Sequence, residues 1–138
     1  MEYSPLKKTA LQCAVVIAAG LPVVAGLWDV LHGLQGAGAW AENHERYLSG
    51  ILMAIGVGFW SSVPSIESKT ARFRLLTFLV FVGGVCRLLG VALGDPLSPS
   101  VIVALTMELV ITPSLCLWQS RVAEHSPAFA ALSPQFHS

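Results

Sequence analysis

Four long apolar stretches separated by short polar ones set the pattern of this chain. The first runs from Ala10 to about Trp28, with no charge between Thr9 and Trp28. The second runs from Tyr47 to about Val63 and stays uncharged through Ile66. Phe73 to Leu93 is interrupted, past Arg74 at its edge, only by Arg87, and about Leu97 to Trp118 only by Glu108. A membrane-crossing helix needs about 20 predominantly apolar residues, and all four stretches qualify, the second being the shortest. Inside a bilayer every backbone N–H and C=O must be satisfied locally, which makes helices the default. The pattern predicts an all-α fold, an integral membrane four-helix transmembrane bundle. It forms one membrane domain over 1–138, with spans 10–28, 47–63, 73–93 and 97–118 and a frayed or surface tail over 122–138. Pro22, Gly83, Gly84 and Pro113 fall inside spans, where Gly and Pro are better tolerated than in soluble helices.

The connections are short. Leu31 to His44 is rich in Gly and Ala and is expected to fold over the outer mouth. Ser61 to Ala71 reads as a polar inner turn. Gly94-Asp95-Pro96 reads as a tight outer turn that makes spans three and four an antiparallel hairpin. Lys7 and Lys8 before the first span resemble the start of a signal peptide. The apolar run that follows exceeds the roughly 7–15 residues of such a segment, so an uncleaved first helix is expected.

Composition sharpens this picture. Of 138 residues, 54% are hydrophobic and 12% charged, against about 25% charged in a soluble domain. So few charges cannot cover the large relative surface of a small water-soluble protein. Eight basic residues balance eight acidic ones, without the basic excess that nucleic-acid binding needs. Lys7, Lys8, Lys69, Arg72, Arg74 and Arg121 fall on one side of the predicted topology. The other side has Arg46 alone, beside Asp29, Glu42, Glu45 and Asp95. The positive-inside rule then puts the N and C termini in the cytoplasm, in a bacterial inner (cytoplasmic) membrane. Trp28, Trp40, Trp60 and Trp118 lie at or just beyond span ends, as interfacial anchors do.

Small residues recur at four-residue spacing: Ala10, Ala14 and Ala18, then Gly50, Ala54 and Gly58. Gly83, Arg87, Gly90 and Gly94 share a face of span three. Such stripes let helices approach closely where lipid gives no hydrophobic drive to association. Cys13, Cys86 and Cys116 are far apart in apolar runs, which reads as small buried hydrophobes rather than a zinc site or disulfide framework.

A charge at mid-bilayer costs a few kcal/mol, so Arg87 and Glu108 demand a reason. Counted from the outer turn they lie roughly 10 Å and 18 Å deep at 1.5 Å per residue, an offset that an Arg side chain bridges. An ion pair is predicted. Asp29 and His32 share a face just beyond span one, and His44, Tyr47 and Ser49 open span two. Together these residues suggest a ligand pocket toward the outer face, lined by Asp29, His32, His44, Tyr47, Ser49, Arg87 and Glu108. A purely structural reading stands beside it, in which Arg87 and Glu108 satisfy each other and fix helix register. No Ser-His-Asp order, HExxH, phosphate loop or haem motif is present. No catalytic residue, metal or cofactor is therefore assigned.

The segments His44-x-x-Tyr47-Leu48-Ser49-Gly50-Ile51, Arg72-Phe73-Arg74-Leu75-Leu76, Phe81-x-Gly83-Gly84-x-x-Arg87-Leu88-Leu89 and Glu108-Leu109-Val110 resemble domain-of-unknown-function family 4345. These are short bacterial membrane proteins. The resemblance covers about residues 10 to 122 and implies a compact four-helix membrane protein, without bringing an activity. The expected function is a non-enzymatic binding or accessory subunit. Its polar cluster would hold a small or lipid-like ligand or a partner helix, with membrane lipid as surroundings. The alternative is an isomerase-like membrane enzyme or small transporter for a lipophilic substrate, with Glu108 or His44 carrying the proton and Arg87 as charge partner.

Overall fold

The computed structural model describes residues 5–33 and 38–125. Among them the regular structure is helical: α1 (Pro5–His32), α2 (Ala39–Trp60), α3 (Thr70–Ala92), α4 (Pro99–Thr106) and α5 (Thr112–Glu124). A five-residue π turn, Met107–Ile111, joins α4 and α5 into one continuous fourth span. A 3-10 turn, Val63–Ser65, follows α2. Four helices are long and apolar enough to cross a membrane, so the all-helical, four-span fold is the one the pattern predicts.

The ends differ from the expectation, for local reasons. Helix α1 outruns its apolar stretch on both sides and stops at Gly33, whose φ of 63° is open to glycine and strained for other residues. Its N–H closes the turn onto the Asp29 carbonyl at 2.7 Å. Helix α2 starts at Ala39 rather than Tyr47, because Glu42, Glu45 and Arg46 continue the helix past the apolar boundary. Most of the expected Leu31–His44 loop is thus helical, and its residues 34–37 lie outside the described ones. The fourth span continues to Glu124 and buries Val122 and Ala123, so the tail begins later than Val122. Residues 126–138 lie outside the described ones.

The Gly94 turn is a complete Schellman closure. Asp95 N–H reaches Gly90 O at 3.0 Å and Gly94 N–H reaches Val91 O at 3.1 Å, with Gly94 at φ 116°. Ser98 then caps α4 by accepting from Val101 N–H at 3.4 Å, ahead of Pro99 in the first turn.

The buried apolar core gathers at the end where α1 begins, α2 ends, α3 begins and α5 ends. Leu11, Val15, Ala19, Phe59, Ile66, Phe73 and Val122 form it, and Phe59 meets Phe73 edge to face at 4.9 Å. Lys8 is ion-paired to Glu67 here at 2.7 Å, Lys69 caps the last turn of α2 through Ser61 O at 2.6 Å, and Arg74 reaches Ser120. We call this the basic end. The two hairpins, α1 with α2 and α3 with the fourth span, join mainly there.

Along α1 and α2 the seam is set by Gly26, where an added Cβ would lie 2.6 Å from Ser49 O, and by Gly56, 3.0 Å from Ala19 O. The stripes read from the sequence are partly displaced. Gly58 does pack, against Leu76, but Gly50 and Gly83 have nothing within 4 Å of an added Cβ. The buried face of α1 is Leu11, Val15, Ala19 and Gly26, one position on from the alanine stripe, because larger apolar side chains fill the basic end. Cys13 and Cys86 are exposed and so are not core hydrophobes, whereas Cys116 is half-buried and packs against the core. Cys13 and Cys86 share the outward faces with Leu21, Val24, Phe78, Phe81, Ile102, Val103 and Val110. Turned to water, such faces would be unfavourable by about 25 cal/mol per Å². Turned to lipid they are not.

Candidate functional site

Arg87 and Glu108 come together through three local features. On the fourth span, Pro113 has no N–H, and its ring would collide with the carbonyl four residues back in a regular helix. The backbone widens instead: Thr112 N–H and Thr112 Oγ1 both donate to Met107 O, five residues back, the hydroxyl at 2.8 Å. Glu108 sits in this π turn. On α3, Gly84 is buried, and an added Cβ there would lie 2.8 Å from both Glu108 Cβ and Leu109 Cδ2. Glu108 is therefore pressed against α3 one turn before Arg87. Helical side chains lean toward their own N-terminus, so Arg87 reaches back to meet it.

The contact is a two-pronged one: Arg87 Nε donates to Glu108 Oε2 at 3.0 Å and Nη2 to Oε1 at 3.1 Å. Parallel charge-assisted bonds of this kind are the strong form of the Arg–carboxylate pair. Exposure is unequal. Glu108 keeps 15% of its side chain exposed and Arg87 41%. The carboxylate is the enclosed partner and the Arg87 side chain the open one.

The other residues read from the sequence lie on α1 and α2. His32 stacks on Trp28 with centroids 4.0 Å apart, and its Nδ1–H donates to Trp28 O at 3.0 Å, so it turns to Trp28 rather than to Asp29. His44 stacks on Trp40 at 5.2 Å. Tyr47 is exposed, Asp29 half-buried, and Ser49 is buried in the α1–α2 seam beside Gly26. Among the described residues, no hydrogen bond, ion pair or ring contact joins this group to Arg87 or Glu108. No group of three His, Cys, Asp or Glu residues among them could hold a metal.

Polar locks at the basic end escaped the sequence reading. Gln119 is fully buried and donates through Nε2 to Ile66 O at 2.6 Å and Thr70 Oγ1 at 2.9 Å. Gln12 donates to Val63 O at 2.8 Å, and Trp60 Nε1 to Val16 O at 3.0 Å. The signal for Gln119 was its place among Leu115, Cys116 and Val122, a lone polar residue on an apolar face. Burial alone would raise the Glu67 carboxyl. Hydrogen bonds from Lys8 and the backbone, with the Lys8 charge, bring it below the usual carboxylate range.

Four membrane-length helices with a charge pair between two of them define a multi-pass helical membrane protein. The family model described as domain of unknown function DUF4345 matches residues 10–119, and the chain belongs to that family. Neither the curated proteins nor the solved structures hold a match to it.

Proposed function

We propose that this protein is a non-enzymatic binding or accessory subunit of a bacterial inner membrane. In this reading the Arg87–Glu108 pair holds a lipid-like small molecule or a partner helix. The observation that carries it is the open side of the pair: Arg87 is anchored through one edge of its guanidinium, and 41% of its side chain is exposed. A pair serving only to join α3 to the fourth span gains nothing from that exposure, since uncovered donors are costly at membrane depth. Asp29, His32, His44 and Tyr47 stand at the same end of the bundle as the Gly94 turn and would form its polar rim. Ser49 would hold the α1–α2 seam beneath them.

Native mass spectrometry of the detergent-extracted full chain tests this. The expected result is a co-purifying lipid, small molecule or subunit on the wild type. The Arg87→Met/Glu108→Leu double variant should fold and lose that species. An empty wild-type monomer overturns the proposal. So does a double variant that rescues folding lost in each single variant and still carries the same species, because the pair is then structural.

A further inference from the structure

The exposed edge of Arg87 has a chemistry of its own. Pairing through Nε and Nη2 leaves both Nη1 hydrogens and the second Nη2 hydrogen of the guanidinium without a bond. Among the described residues no further acceptor reaches them. Three donors in a fixed plane thus stay unpaired on a partly exposed side chain whose charge Glu108 already balances.

Depth and charge restrict what can accept from them. The guanidinium meets a carboxylate whose Cβ lies beside Gly84, so it sits between the levels of Gly84 and Arg87, ten to seven residues before Gly94, or roughly 10–15 Å below that turn at 1.5 Å per residue. Hydrocarbon is about 30 Å thick, with headgroup zones of several Å beyond it. The free donors therefore lie beneath the plane of lipid phosphates, and the lean of the side chain carries them inward. Adding an anion to an already neutral pair would leave a net negative charge in low dielectric, which is unfavourable. A neutral carbonyl oxygen needs no countercharge and accepts two N–H bonds through its two lone pairs.

Space for such a molecule exists beside the pair. Gly83 lies one turn toward the basic end of α3 on the Arg87 face, is exposed, and has nothing within 4 Å of an added Cβ. On the other side, the Asp95 carboxylate occupies the place over Gly90. The open surface beside Arg87 thus extends toward the membrane interior, while Asp95 stands over the helix on the side of the Gly94 turn.

We infer that Arg87, held by Glu108, is a hydrogen-bond donor site for the neutral carbonyl oxygen of a lipid-soluble molecule, whose apolar body lies over Gly83. This rests on the binding reading above and names its ligand class. Two sources share that chemistry: a quinone head, which can sit at this depth, and an acyl ester drawn below its usual plane.

The test uses the purified full chain with three probes: a short-chain quinone, a diacyl phospholipid, and the ether-linked phospholipid with the same headgroup but no ester carbonyls. Binding is read by native mass spectrometry. The infrared carbonyl stretch of a ¹³C=O-labelled probe reports the hydrogen bond itself. A bond to a charged donor implies that the carbonyl probe binds about tenfold to a hundredfold more tightly than its carbonyl-free counterpart. The stretch should move to lower wavenumber. Both effects are expected to vanish in Arg87→Met/Glu108→Leu and to weaken in Gly83→Leu, which fills the space beside Arg87 and keeps both charged groups. Quinone retention above diacyl lipid identifies the first source, and ester retention above ether lipid the second. Equal retention of ester and ether lipids with no quinone bound overturns the inference. So does a labelled carbonyl whose stretch is the same in wild type and double variant. A co-purifying polypeptide with no carbonyl probe bound also overturns it, yet leaves the accessory-subunit reading standing.

Discussion

Gly83 and Gly84 are adjacent in sequence and opposite in role. A methyl group at 84 would lie 2.8 Å from Glu108 Cβ, inside contact distance, while one at 83 would meet nothing. Gly84→Ala should therefore force α3 away from the π turn and destabilise the protein by about 1–3 kcal/mol, the usual range for overpacking. Gly83→Ala should be neutral or stabilise by up to about 1 kcal/mol through its better helix propensity. Equilibrium unfolding in mixed detergent micelles checks both, and equal stabilities would deny the close approach at Gly84. At this scale the sequence was most legible where chemistry was conspicuous. Arg87 and Glu108 stood out because charges are costly in apolar spans. Which of two neighbouring glycines faces a partner depends on helix rotation, and the four-residue spacing of small residues does not carry that phase.

The fourth span shows what an element adds. Read as one helix from Leu97 to Trp118, it is interrupted in the structure by the Met107–Ile111 π turn. The extra residue of that turn changes the rotation between Glu108 and Gln119. Eleven residues of regular helix would set the two on one face, within about 20° of each other, whereas the bulge splays them, Glu108 toward Arg87 and Gln119 toward Ile66 and Thr70. Pro113→Ala would let the regular ladder re-form, and Ala is better than Pro in a helix interior by about 3 kcal/mol. The expected outcome is nonetheless a lower unfolding midpoint, since a straightened helix cannot satisfy both contacts. Hydrogen exchange should show the Glu108–Thr112 amides better protected in the variant. A higher midpoint would mean that the π turn positions nothing. Pro113 was visible as a proline inside a span, yet a proline can be met by a kink, a bulge or a break. Only the Thr112 hydroxyl and the Gly84 contact decide for the bulge.

On the scale of the whole molecule, spans and connections followed from hydropathy because the bilayer imposes both length and backbone satisfaction. Helix ends did not, since a helix continues past the apolar boundary until a residue such as Gly33 turns it. The gathering of Lys8, Lys69, Arg74 and the α5 terminus at one end gives the positive-inside argument a spatial form. A reporter that folds only outside the cytoplasm should be inactive when fused after Ser138 and active when inserted at Gly94–Pro96. The reverse pattern would invert the proposed orientation. The basic end is also where the hairpins are tied, by contacts that side-chain packing creates and spacing does not announce. Gln119, in the last turns of the last span, bonds to Thr70 across 49 residues and to Ile66 across 53. Chains grow at about 5–20 residues per second, so Thr70 waits roughly 2 to 10 s for its partner to be made. During biosynthesis the first three spans must persist in the bilayer with that end unsealed, and closure waits for the fourth.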